Sequence, residues 1–146
     1  MVDEAKMILL VEDNTQDELL ILRALRRAHV ANEVVVVRDG QQALDYLFGE
    51  GEFAASAAEQ PAVVLLDLNL PRVGGLEVLA RLRADPRTHL LPIVVLTSSD
   101  EDRDRLTSYE SGCNSFVRKP LDFAEFAATV AELGVYWLAV NQPPVG

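Results

Sequence analysis

Five short apolar runs punctuate the chain, at residues 7–11 (MILLV), 34–37 (VVVV), 63–66 (VVLL), 93–96 (IVVL) and 115–117 (SFV). Each is mostly β-branched or aliphatic, and segments of helical periodicity separate them. Buried parallel strands joined by crossover helices give this pattern. Beyond the first run, Asn14 is placed to cap a helix and Asp17 to complement its N-terminal dipole. Leu19, Leu22 and Leu25 carry that helix to about Ala28. Arg38-Asp39-Gly40 signals a turn, and Ala43, Leu44, Leu47 and Phe48 form a short helix after it. Residues 49–61 have no clear period and read as a surface loop, with at most a stub of helix, closed by Pro61. After the Pro- and Gly-containing stretch 68–75, Leu76, Leu79 and Leu82 share one helical face that stops at Asp85-Pro86. Ser99 or Asp100 caps a polar helix running to Gly112. Asp122 and Glu125 form a capping-box arrangement for the last helix, whose early face of Phe123, Phe126, Ala127, Val130 and Leu133 suits core packing. The expected architecture is α/β, (βα)5, one three-layer domain with right-handed crossovers.

Composition narrows this picture. A chain of 146 residues, 49% hydrophobic, holds one well-buried domain and is too short for two ordinary ones. Its formal net charge of −10 repels nucleic acid and anionic lipid, so neither nucleic acid nor a membrane is an expected partner. The single cysteine, Cys113, excludes an internal disulfide and reads as a small buried residue. The N-terminus carries acid where a signal peptide needs base, and no apolar stretch approaches a membrane span; a cytoplasmic protein is expected.

The residues just beyond the apolar runs carry the chemistry. Glu12-Asp13 closes the first run, Asp67 the third, Thr97 the fourth and Lys119-Pro120 the fifth. In an open α/β sheet, ligands bind beyond the carboxyl ends of the strands, so these groups share one edge. Three carboxylates that close raise one another's pKa unless a cation neutralises them. Their hard oxygens suit Mg²⁺. Thr97 adds a hydroxyl and Lys119 a positive charge, both suited to phosphoryl oxygens. Together they form a kit for making and breaking an aspartyl phosphate, with Asp67, alone at the end of a central strand, as nucleophile.

VEDN at 11–14, LLDLNLPR at 65–72, VLTSS at 95–99 and SFVRKP at 115–120 resemble, in order and spacing, the receiver domain of bacterial two-component response regulators. The likeness spans residues 7 to about 135, apart from a longer stretch between Asp13 and Asp67. It implies a flavodoxin-like doubly wound sheet of strand order 2-1-3-4-5. It implies that Asp67 accepts phosphate from a sensor histidine kinase, with only weak autophosphorylation and autodephosphorylation of its own. Asp13 and Asp67 then ligate Mg²⁺ directly, Glu12 holds metal-bound water, and the Asn69 carbonyl completes the set. Thr97 and Lys119 bind the phosphoryl oxygens, Lys119-Pro120 is a cis peptide, and Ser98 leaves access to the phosphoryl group. Asn69 and Ser99 occupy positions that tune hydrolysis. Phe116 matches the switch aromatic, which moves inward as Thr97 turns. The loop at 49–61, SYESGCNSFVRKP and YWL at 136–138 are most similar to single-domain regulators paired with bacteriophytochrome kinases.

The same residues also admit other readings. A lone strand-end Asp usually caps a turn, Thr97 and Phe116 suit a strand and core, and Lys119 could be a solvated surface lysine. His29 and His89 read as solvated turn residues. A haloacid-dehalogenase-type phosphatase needs an acid two residues after its nucleophile, where Asn69 stands. A flavodoxin-like mononucleotide module needs a Gly-rich phosphate loop where Glu12-Asp13-Asn14 stands. A pseudo-receiver serving only as an interaction or dimerisation module is the remaining alternative. The segment 133–140 is apolar all round. It is expected to place Tyr136, Trp137 and Leu138 in an exposed patch that pairs two chains as a homodimer. About 26 residues follow Pro120, too few for an output domain, so output is expected through contacts with a kinase, a phosphotransfer protein or an effector.

Overall fold

The computed structural model describes residues 6–30, 32–53 and 60–144. Strands β1 (Ile8–Val11), β2 (Val34–Val37), β3 (Val63–Leu66), β4 (Ile93–Thr97) and β5 (Ser115–Arg118) alternate with helices α1 (Thr15–Arg27), α2 (Gly40–Phe48), α3 (Gly75–Ala84), α4 (Asp102–Glu110) and α5 (Phe123–Val135). All pairings are parallel and the order is β2-β1-β3-β4-β5. The three inner strands are buried at every position, which explains their unbroken apolar runs; β2 and β5 lie at the edges and are only partly buried. Alternate residues serve opposite faces. Ile8, Leu10, Val63, Leu65, Val94 and Leu96 pack with Ile21, Ala24 and Leu25 of α1 and Phe126 and Val130 of α5. Leu9, Val11, Val64, Leu66, Ile93 and Val95 pack with Ala43, Leu44 and Leu47 of α2 and Val78, Leu79 and Leu82 of α3. Each fully buried side chain of this size contributes about 1.5–3 kcal/mol relative to exposure.

Asn14 caps α1 as expected, its Oδ1 accepting the Asp17 N–H at 3.0 Å. Asp122 caps α5 through the Glu125 N–H at 3.0 Å. The expected start of α4 is corrected: Glu101 occupies the cap position, without a side-chain bond. The Ser99 hydroxyl is instead drawn to Asp104 at 2.6 Å, and Asp100 faces Arg118 at 3.5 Å. In the loop at 49–61 the stub of helix is a 3₁₀ turn, Gly51–Phe53; the rest of that reading, at 54–59, lies outside the described residues.

The last helix departs most from expectation. Phe123, expected on the core face, is 72% exposed: it stands outside the buried cluster that Phe126 and Val130 join and lines an open cleft with Leu20 and Arg23 of α1. Beyond Val135 the chain continues as a π-helical turn, Tyr136–Val140, closed by the Asn141 N–H on the Tyr136 carbonyl at 2.7 Å. Leu138 is buried there against α1 and the sheet; it belongs to the core and not to an exposed patch. Tyr136 is 47% exposed, Trp137 is half-buried, and their rings meet edge to face at 5.1 Å. The helix and the turn together, Phe123–Val140, form an 18-residue segment of mean hydropathy 1.4, long and apolar enough by length and composition to cross a membrane. The expectation of no such stretch therefore fails on length. The buried line Phe126, Val130, Gly134 and Leu138, at four-residue intervals, is the stripe by which a core helix packs on its own sheet.

Candidate functional site

Register places the polar groups. The Glu12 N–H donates to Val37 O at 3.0 Å, the Asp67 N–H to Val11 O at 3.1 Å, and the Lys119 N–H to Thr97 O at 2.7 Å. Each residue thus continues its strand one step past the ladder, and Glu12, Asp67, Thr97 and Lys119 line one edge. The loop after Asp67 returns tightly to α3, whose Gly75 N–H donates to Leu68 O at 3.0 Å. A Cβ at Gly75 would collide with the Asp67 carbonyl and the Leu68 Cα, so only glycine permits this approach.

Lys119 is the centre of the site. Its Nζ donates to Glu12 Oε1 at 2.6 Å, Asp17 Oδ2 at 2.8 Å and Asp67 Oδ2 at 3.1 Å, with 5% of the side chain exposed. The Asp67 Oδ1 accepts the Asn69 N–H at 3.2 Å, and Glu12 Oε2 the Asn14 N–H at 3.2 Å. Burial pushes the Glu12 carboxyl up to about 7; the bond and charge of Lys119 only partly offset this, and the Asp67 charge adds to it. Burial alone would lower the Lys119 ammonium. Its hydrogen bonds to Asp17 and Glu12, with the charges of Asp67 and Glu12, hold it above the ordinary lysine value instead. One cation serves three carboxylates, so the site retains excess negative charge.

Asp13 is exposed, and the oxygens of Glu12, Asp13 and Asp67 lie within 4.8 Å of one another. Such a clustered set of hard oxygens fits a small divalent cation like Mg²⁺. Thr97 is fully buried, its Oγ1 accepting the Ser99 N–H at 3.3 Å, while Ser98 is exposed. Asn69 enters through its backbone N–H, its side chain turned to solvent. Phe116 is half-buried and packs on the α2/α3 side of the sheet. The Lys119-Pro120 peptide is trans, not cis as the resemblance implied; trans is the intrinsically favoured isomer, and Lys119 reaches all its acceptors with it. His29 and His89 are exposed and outside the site, and Cys113 is buried.

Asp17 is the site residue that sequence reading placed only as a dipole partner. Its signal was its position in the first turn of α1, four residues past Asp13, which returns it to the strand-end edge. Next to it, the buried Glu18 pairs with Arg38 at 3.0 Å, tying α1 to the end of β2.

A parallel sheet in this order, with carboxylates just past β1 and β3, a threonine at the end of β4 and a lysine after β5, defines the receivers of two-component signalling. Residues 8–131 match the response regulator receiver domain family, and the chain belongs to it. It is 42% identical over 139 residues to a probable methanogenesis regulatory protein, FilR2, of Methanothrix harundinacea, covering 94% of this chain and 87% of that one. Among solved structures it resembles the phosphorylated cyanobacterial phytochrome response regulator RcpA, at 40% identity and a TM-score of 0.89, over 95% of this chain and 98% of that one. The bacteriophytochrome response regulator RtBRR is 52% identical, with a TM-score of 0.76, over 97% and 85%. The Mn²⁺-bound form of Rcp1, from Synechocystis, is 34% identical with a TM-score of 0.89, over 96% and 99%. The receiver family is one of phosphoacceptors rather than of ordinary enzymes, and the chain is a response regulator related to those of phytochromes.

Proposed function

We propose that Asp67 accepts a phosphoryl group from the phosphohistidine of a phytochrome-type sensor kinase, and that the receiver signals through protein contacts. The supporting observation is the bond from the buried Lys119 Nζ to Asp67 Oδ2, beside the oxygen cluster of Glu12, Asp13 and Asp67. An Asp67 oxygen attacks phosphorus, the P–N bond breaks, and its electron pair passes to the imidazole of the kinase. Lys119 then moves one N–H from Asp67 to a phosphoryl oxygen, and the Thr97 hydroxyl supplies another contact. Asp13 and Asp67 would hold Mg²⁺ directly, Glu12 through water and Asn69 by its carbonyl. When bound, the ion neutralises charge developing on the phosphoryl oxygens. The donor set and the Mn²⁺-bound relative support this part of the reading.

Several further assignments belong to the same reading. Slow self-catalysed phosphorylation from small donors and slow hydrolysis arise from the same groups. Thr97 and Phe116 form the switch pair. The receiver works in the cytoplasm, without nucleic acid or membrane, as a single domain and as a homodimer. The dimer would use Tyr136 and Trp137, which line a cleft with Val117 and Leu133 at the β5 edge. The phytochrome kinase is favoured by the likeness to RcpA and RtBRR, whose names carry that pairing.

Incubation with Mg²⁺ and acetyl phosphate, followed by intact mass, tests the core of the proposal. Wild type should gain one phosphoryl group, lost on chelation and absent in Asp67→Asn. No gain while a control receiver is labelled would favour a pseudo-receiver.

A further inference from the structure

We infer that Asp17 is a positioning residue for the phosphoryl chemistry: it holds one leg of a tripod that keeps the Lys119 ammonium aimed at the group on Asp67. The inference rests on the phosphoacceptor role of Asp67 and adds a residue to it.

An ammonium has three N–H donors and no acceptor. Here all three are spoken for, by Glu12 at 2.6 Å, Asp17 at 2.8 Å and Asp67 at 3.1 Å. With 5% of the side chain exposed, water has little access to take over a lost leg. The three legs differ in what happens to them during reaction. The Asp67 leg, the longest, must be given up when that carboxylate becomes an acyl phosphate. Its N–H then turns to a phosphoryl oxygen. The Glu12 leg belongs to a carboxylate of the cation-binding cluster. Asp17 lies outside that cluster and stands on a different scaffold, the first turn of α1, where its own N–H is fixed by Asn14 Oδ1 at 3.0 Å. It is therefore the leg that neither phosphorylation nor a bound cation alters.

The Asp17 and Glu12 legs define an axis about which the third N–H can swing from carboxylate to phosphoryl oxygen, and Asp17 is the one of the two that a bound cation leaves in place. With Glu12 alone, a four-carbon flexible stem would let the ammonium wander. An ordinary helix-dipole role for Asp17 would need only an exposed carboxylate near the α1 N-terminus. It would not place the side chain, only 25% exposed, in contact with Lys119.

The test separates position from charge. Asp17→Asn keeps an acceptor oxygen at the same reach and removes the charge; Asp17→Ala and Asp17→Ser remove the leg, and serine is well suited to a helix start should alanine fold poorly. Initial rates of phosphorylation by acetyl phosphate at saturating Mg²⁺ should fall about tenfold in Asp17→Ala and Asp17→Ser, the scale of a small misplacement of a reacting group, and stay near wild type in Asp17→Asn. The Mg²⁺ half-saturation should not move, since Asp17 is outside the cation cluster. An independent readout is the ¹⁵N ammonium signal of Lys119, assigned by its absence in Lys119→Arg. A fully bonded buried ammonium exchanges slowly and gives such a signal, which Asp17→Ala should lose and Asp17→Asn keep. Wild-type rates in Asp17→Ala and Asp17→Ser, with the ammonium signal intact, would overturn the inference. Faster labelling in all three variants would also overturn it and make Asp17 simple electrostatic repulsion. Absence of labelling in wild type, beside a working control receiver, would instead fail the phosphoacceptor reading and take the positioning role with it.

Discussion

The chemistry of single groups at this edge is set by an imbalance. Glu12 is 1% exposed and shares the Lys119 ammonium with two other carboxylates. Its folded pKa, raised to about 7, lies above the unfolded value of 4.5. Between those values the folded state holds a proton that the unfolded chain lacks. The contribution to stability is complete below about pH 4.5 and is lost as the pH rises through about 7, with a slope of at most about 1.4 kcal/mol per pH unit. Glu12→Gln removes this component. In metal-free protein, urea unfolding at pH 5 and pH 7.5 should show the variant gaining on wild type at the higher pH. An unchanged difference at the two values would mean that Glu12 titrates normally. Sequence showed the carboxylates, the threonine and the lysine at one edge because strand ends are marked by the apolar runs. It did not show the Asp17–Lys119 bond, 102 positions apart. Local reading assigns a first-turn Asp to its own helix, and only the packing of α1 with α5 on one face of the sheet turns it toward the lysine.

At the scale of elements, the loop between β3 and α3 depends on a backbone approach that no side chain tolerates. Gly75→Ala sets a methyl against the Asp67 carbonyl and the Leu68 backbone, neither of which is the far end of a flexible side chain. The gain in helix propensity, about 1 kcal/mol, is smaller than the cost of overpacking against fixed atoms, about 1–3 kcal/mol. Thermal unfolding should therefore fall, and acetyl phosphate labelling should fall further, because the displaced atoms carry Asp67 itself. A variant as stable and as readily labelled as wild type would show that the loop can yield. Helix α4 stands at the other extreme. Of its residues only Ser108 is buried, while Leu106 and Tyr109 are 61% and 52% exposed. Helices with little buried apolar surface open at low cost. Amide exchange should be faster in α4 than in α3, whose Val78, Leu79 and Leu82 are fully buried. Equal protection would refute this. These differences also explain what was legible. The helical stripes of α1, α2 and α3 could be read because polar residues interrupt them. In 133–140 no polar residue marks a side, so nothing in the run shows that Leu138 continues the Phe126–Val130–Gly134 line inward while Tyr136 points out.

For the whole molecule the controlling quantity is its net charge of −10. Two copies brought together repel over a range of about 10 Å at 0.1 M salt, and further at lower salt. Any pairing must therefore come from apolar contact, and the surface proposed for it combines the exposed Tyr136 with the half-buried Trp137, Leu133 and Val117. With Leu138 withdrawn into the core, this patch is smaller than the all-round apolar run promised, and the opposing charge weighs more against it. Self-association should accordingly be weak at low ionic strength and tighten as salt is raised toward about 0.15 M, the reverse of an interface built on ion pairs. Tyr136→Glu, which adds charge at the patch without touching a buried position, should abolish it at every salt. Sedimentation at micromolar concentration, with wild type and Tyr136→Glu at two salt levels, distinguishes the cases. A monomer throughout removes the dimer from the proposed function. A dimer that loosens with salt and survives Tyr136→Glu places the contact elsewhere, on a face where charges attract.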